Sequence, residues 1–159
     1  MLIVVLYVDD VIFTGNDTYL VKNYKSVMND EFEMTDMGLL KYFLGVEVEK
    51  NENKIFISQA KYVNEVLEGF NMQDCKTAIT PTVMGLKLSK EDNDKDFDPS
   101  LYESIVGSLM YLNATRPNIM YTIILIYRFM ETPKETHWKA AKRILRYVNG
   151  TKVYGVLYS

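Results

Sequence analysis

The feature that constrains this chain most is a pair of carboxylates set inside an apolar run. Leu2 to Tyr7 is β-branched and apolar, Asp9 and Asp10 break the run, and Val11, Ile12 and Phe13 resume it before Thr14-Gly15-Asn16-Asp17. Two short strands around an Asp-containing turn predict a β-hairpin. On a regular strand, neighbouring side chains point to opposite faces; a tight turn relaxes this, so one or both carboxylates can reach a shared cation at the sheet edge. The same dipeptide also suits a plain soluble turn.

Further elements follow from spacing. Asp17 or Thr18 can cap a helix to about Phe32, with Leu20, Tyr24, Val27, Met28 and Phe32 at helical intervals, covering one face of the hairpin. A second hairpin is expected from a strand over 42–49, a polar turn at Asn51-Glu52-Asn53 and a returning strand over 54–57. A helix from Ser58 to Phe70 places Tyr62, Val63, Val66, Leu67 and Phe70 on one face. Thr80-Pro81 and the acidic stretch 90–98 read as a linker. Beyond it the pattern is all helical. Pro99 suits the first helical position after Asp98, ahead of Leu101, Ile105, Leu109 and Leu112; a second helix runs from Pro117 to about Met130, and a third from Pro133 or Lys134 to about Asn149.

Counting narrows the chemistry. Cys75 is the sole cysteine and His137 the sole histidine, which excludes disulfides and Cys/His zinc sites. A metal would have to be held by carboxylates, the donor set of Mg²⁺ or Mn²⁺. His137 and Trp138 are expected to pack. The net charge of −3 lies wholly in 90–98, where five carboxylates face Lys90 and Lys95, so nucleic-acid binding is a question of local patches. One such patch is the last helix. Lys139, Lys142, Arg143 and Arg146 fall on one side, with Trp138, Ala141, Leu145 and Val148 opposite. This stripe could track phosphates irrespective of sequence, or be an ordinary charged exterior. The longest apolar run, 119–130, contains Arg128 and is too short for a bilayer span. No basic leader precedes Leu2, so an intracellular setting is expected.

Tyr7-Val8-Asp9-Asp10 between apolar strands resembles the catalytic hairpin of reverse transcriptases. The motifs after it resemble the Ty1/copia class: Tyr42-Phe43-Leu44-Gly45-Val46-Glu47-Val48, Ser58-Gln59-Ala60-Lys61-Tyr62, Tyr111-Leu112 leading to Thr115-Arg116-Pro117, and Ala141-Lys142-Arg143-Ile144-Leu145-Arg146-Tyr147. They occur in the family's order over nearly the whole chain. The resemblance implies an α+β fold with a partial palm over 1–57, a thumb-like segment over 58–89, the acidic linker 90–98 and a connection-like helical segment over 99–159.

It also implies roles. Asp9 and Asp10 would be the catalytic metal ligands for Mg²⁺ or Mn²⁺ in two-metal nucleotidyl transfer, and Tyr7 and Val8 would face the primer end and nucleotide. Gly45 would hold the primer terminus, although a bulge would equally call for a glycine. Partners would be an RNA/DNA template-primer and dNTPs, in a cytoplasmic particle or the nucleus. The family's earlier metal-binding aspartate and fingers would precede Asp9, and ribonuclease H would follow the last residues, so the chain alone is expected to be inactive; the alternative is a non-catalytic nucleic-acid-binding remnant. Two positions depart from the family pattern: Asn71 where glycine is usual, and Asn118 where aspartate is usual.

Overall fold

The apolar run breaks where the carboxylates predict. In the computed structural model, which describes residues 1–90 and 94–159, β1 (Leu2–Tyr7) and β2 (Asp10–Gly15) pair antiparallel, with Leu2 opposite Gly15 and Tyr7 opposite Asp10. Helix α1 (Thr18–Glu31) follows, its first amides capped by Asp17, whose Oδ1 accepts from Tyr19 N at 2.8 Å and Leu20 N at 3.3 Å. The face it turns inward differs from the expected one. Val21, Tyr24 and Met28 are half-buried, with the Tyr24 ring edge-on to Phe13 at 5.3 Å, while Leu20, Val27 and Phe32 are exposed. A two-strand ribbon is too narrow to cover a wider stripe. These elements form a first unit, Met1–Leu40.

The second unit, Lys41–Ser159, carries a four-stranded antiparallel sheet of β3 (Tyr42–Phe43), β4 (Val46–Asn51), β5 (Lys54–Ser58) and β6 (Gly155–Tyr158), in that order. The strand expected over 42–49 is two strands. Leu44 and Gly45 turn the chain with φ of 47° and 76°, the doubly left-handed signature of a type I′ hairpin. Strand β6 corrects the all-helical expectation for the carboxy-terminal part. It pairs Ile55 with Tyr158 and Ser58 with Gly155, and side by side packing at its start demands glycine: a Cβ at 155 would sit 2.2 Å from Ile57 O.

Helices α2 (Ala60–Gly69), α3 (Pro99–Leu112), α4 (Met120–Tyr127) and α5 (Glu135–Gly150) build the core, where Val63, Leu67, Ile105, Leu109, Ile126 and Ile144 are fully buried. Each such side chain contributes about 1.5–3 kcal/mol. Helix α3 starts as its sequence predicts, Asp98 capping Ser100 N at 2.8 Å with Pro99 in the first turn. Its inward face includes Tyr102 where Leu101 was expected. The helix is apolar nearly all round, and Tyr102 gains a buried hydrogen bond to Ile126 O at 2.8 Å. Burial pushes that phenol's pKa up. Helix α4 is shorter than the predicted 117–130, because Pro117–Ile119 forms a 3-10 turn first.

Of the stretch read as a linker, residues 91–93 lie outside the described residues, and 94–98 is docked. It runs antiparallel to the start of α5, Phe97 N donating to Pro133 O at 2.9 Å and Glu135 N to Lys95 O at 3.0 Å. Lys134 pairs with Asp96 at 2.6 Å, and the Thr136 hydroxyl donates to Asp94, holding that carboxyl below its usual range. His137 packs as expected. It is fully buried and stacked on Phe129 at 3.8 Å; Nδ1 accepts from Lys134 N, so the proton sits on Nε2, 3.0 Å from Ser89 O.

The motifs that lie far apart in sequence meet in this unit. Gln59, fully buried, accepts the Thr115 hydroxyl at 2.8 Å and reaches Tyr111 O at 3.4 Å. Arg116, also buried, donates to Thr151 O at 2.7 Å and Lys152 O at 2.8 Å beyond the end of α5, and burial lowers its pKa. Both departures have a geometry. Asn71 takes φ 53°, a region that asparagine tolerates better than most residues, and Asn118 Nδ2 donates to the Tyr147 hydroxyl at 2.5 Å.

Candidate functional site

The carboxylate pair sits at the tip of the first hairpin, where a two-residue turn leaves Val8 and Asp9 between the paired Tyr7 and Asp10. Val8 has φ 51°, and Asp9 is not left-handed. That is the pattern of a type II′ turn, whose first position normally takes glycine. A β-branched residue there stores about 1–2 kcal/mol of strain. Asp9 and Asp10 are both exposed. Tyr7 and Asp10 are cross-strand partners, so their side chains lie on one face of the ribbon, with Asp9 at its tip. Ile3, Val4, Val5 and Leu6 span both faces of β1 yet are 42% to 71% exposed.

A hard divalent ion takes about six oxygens, generally with more than one carboxylate. Asp9 and Asp10 can each supply donors. No group of three His, Cys, Asp or Glu side chains gathers among the described residues.

Gly45 is accounted for by its own turn. Besides φ 76°, a Cβ there would meet the Tyr111 hydroxyl at 3.2 Å, so glycine serves a hairpin and a close approach instead of a bulge. Lys61 lies over the Tyr42 ring at 5.1 Å, and its amide donates to Glu47 at 3.1 Å. Tyr62 meets Tyr111 edge-on at 4.9 Å.

The basic stripe of α5 is partly engaged. Arg143 Nη2 donates to Thr80 Oγ1 at 3.1 Å and Arg146 Nε to Lys76 O at 2.6 Å, while Ala78 N returns a bond to Arg146 O at 3.1 Å. Asn149 adds Cys75 O at 3.1 Å. Two of the four cations therefore strap segment 73–80 to the helix. Lys139 sits 3.7 Å from Glu135, and Lys142 lies over Trp138 at 5.8 Å from the ring centroid. With Asn71, Met72, Cys75, Phe97, Glu135 and Trp138, the four cations line a cleft of 560 Å³. Sequence reasoning found the cations but missed the wall, because Met72, Cys75 and Phe97 come from segments with no periodic signal.

A family model described as reverse transcriptase (RNA-dependent DNA polymerase) matches residues 1–84. The retrovirus-related Pol polyprotein from transposon RE1 of Arabidopsis thaliana is 40% identical over 151 residues, covering 95% of this chain and 10% of that protein. The corresponding polyprotein from transposon TNT 1-94 of Nicotiana tabacum is 39% identical over 159 residues, covering 94% and 12%. An uncharacterized mitochondrial protein of Arabidopsis thaliana is 38% identical over 152 residues, covering 95% and 62%. The chain spans about a tenth of the length of these Pol polyproteins. No solved structure matches it. No helix among the described residues is long and apolar enough to cross a membrane.

Proposed function

Because the chain belongs to the reverse transcriptase (RNA-dependent DNA polymerase) family, in its Ty1/copia branch, we propose that it is the catalytic-hairpin portion of a retrotransposon polymerase. Enzymes of this family copy a nucleic-acid template from deoxynucleoside triphosphates and use divalent metal ions. In this reading the Val8-Asp9 turn presents Asp9, with Asp10 beside it, as metal donors, Tyr7 and Val8 border the primer end, and the β3–β4 hairpin with Gly45 acts as a primer grip. The first unit is a palm remnant, and α2 starts a thumb. The observation that carries the reading is the strained turn. A valine held left-handed between paired Tyr7 and Asp10 is the kind of backbone strain that collects at working sites.

The 159 residues are catalytically silent by themselves in this proposal, because Asp9 and Asp10 are both exposed at a hairpin tip and no third acidic side chain joins them among the described residues, so ions there would be held mostly by water. The test has two arms. Purified chain should give no Mg²⁺-dependent primer extension. A transposon RE1 polymerase whose matching segment is replaced by this chain should extend primers, and Asp9→Asn in that chimera should lower extension at least a thousandfold. Extension by the isolated chain would refute its silence, and a folded but inactive chimera would sink the polymerase reading.

A second reading, nucleic-acid binding without catalysis, draws on the four cations gathered along α5. It does not depend on Asp9.

A further inference from the structure

Resting on that second reading, we infer that the α5 cleft is a seat for the backbone phosphates of a nucleic-acid strand, with Lys139 and Lys142 as its contact residues and Glu135 as an opposing charge at its edge. The cleft holds four cations against the single carboxylate of Glu135. Among the described residues, Lys142, Arg143 and Arg146 have no ion pair, and Asp94 is near enough to Lys139 for the two charges to interact. Arg143 Nη2 is anchored on Thr80, which fixes the guanidinium in place at the cleft wall, and its Nε is buried with no hydrogen-bond partner.

The occupant follows from what the cleft cannot do. Its two large aromatics, Trp138 and Phe97, are stacked on each other at 4.5 Å, and Trp138 also meets Phe70 edge-on at 6.1 Å and has Lys142 over its ring. With the two rings taken up by each other, recognition falls to charge. Lys139 to Arg146 spans about 10 Å of helix, a row of positive charge with the length of a strand segment. A single small anion would engage one end of that row.

The test is fluorescence anisotropy of the 159-residue protein with a labelled 20-nucleotide RNA/DNA hybrid, a second hybrid of scrambled sequence, and poly-glutamate as competitor. Both hybrids should bind alike, and with two phosphate contacts affinity should fall about 12-fold between 50 and 200 mM salt. Lys139→Gln with Lys142→Gln leaves the Arg143–Thr80 and Arg146–Lys76 bonds in place and should remove that salt-dependent binding. Glu135→Gln should tighten binding, and Asp9→Asn should leave it unchanged. Unaltered binding by the double lysine variant, equal capture of poly-glutamate, or absence of binding at 50 mM salt would each overturn the inference. Binding lost in Asp9→Asn would overturn it too. An inactive polymerase chimera alongside normal cleft binding would fail the catalytic reading alone.

Discussion

The Gln59 side chain accepts the Thr115 hydroxyl at 2.8 Å in a place where neither residue meets solvent. The bond joins the start of α2, which follows the sheet, to the 3-10 turn after α3, and Gln59 Nε2 extends the same tie to Tyr111 O at 3.4 Å. Two of the motifs that resemble the family are thus parts of one polar joint.

Replacing Gln59 by leucine takes the acceptor from the buried Thr115 hydroxyl and removes the tie to Tyr111 O. The expected loss is about 1–3 kcal/mol in urea unfolding, and Thr115→Val added to Gln59→Leu should recover part of it. Strictly additive losses would mean that the bond contributes nothing to stability.

Glycine is required at two positions for different reasons, and the penalties should rank accordingly. Gly155→Ala drives a Cβ against Ile57 O and should detach β6 from β5, seen as fast amide exchange along residues 155–158. Gly45→Ala meets only the hydroxyl and ring edge of Tyr111, with a left-handed φ, so about 1–2 kcal/mol of stability should be lost with the sheet intact. The reverse ranking would contradict the packing described.

Val8→Gly should stabilise the first unit. Relief of the left-handed valine, about 1–2 kcal/mol, exceeds the entropic penalty of glycine, about 0.5–1 kcal/mol. A lower midpoint for residues 1–40 by residue-resolved amide exchange would show that the turn is unstrained.

Asp36 has its pKa lowered, chiefly by its bond to the Lys25 ammonium and then by Gly38 N at 2.9 Å. A carboxylate depressed in the folded state adds stability that is present above its unfolded value, about 3.9, and lost as the pH falls through the lower folded value. Lys25→Met should therefore raise the Asp36 midpoint toward the unfolded value in a carboxyl NMR titration. An unchanged midpoint would remove Lys25 as the cause.

The first hairpin could be read from its residues because its partners are neighbours. Asp9 and Asp10 mark the turn within two residues of where it forms, and Asp17 and Asp98 cap helices through bonds to amides two and three residues on. The basic stripe was legible for the same reason, since 3.6-residue periodicity alone puts Lys139, Lys142, Arg143 and Arg146 together. Gly45 was visible as special but not as the second residue of a type I′ turn, because Leu44 ahead of it carries no turn signal.

The sequence by itself therefore determined where the chain turns and caps, which helix faces are apolar, and the order of motifs that marks its family. Only the tertiary structure decided that 155–158 is a strand, that 94–98 is docked on α5, and that Arg143 and Arg146 hold segment 73–80. Those relationships pair residues roughly 35 to 100 positions apart, and a hydrogen bond or an excluded Cβ across that separation leaves no periodic trace in either partner's surroundings. Long-range pairing is set by the packing of whole elements, and only assembly of the core brings Ile57 O to Gly155 or Thr80 to Arg143.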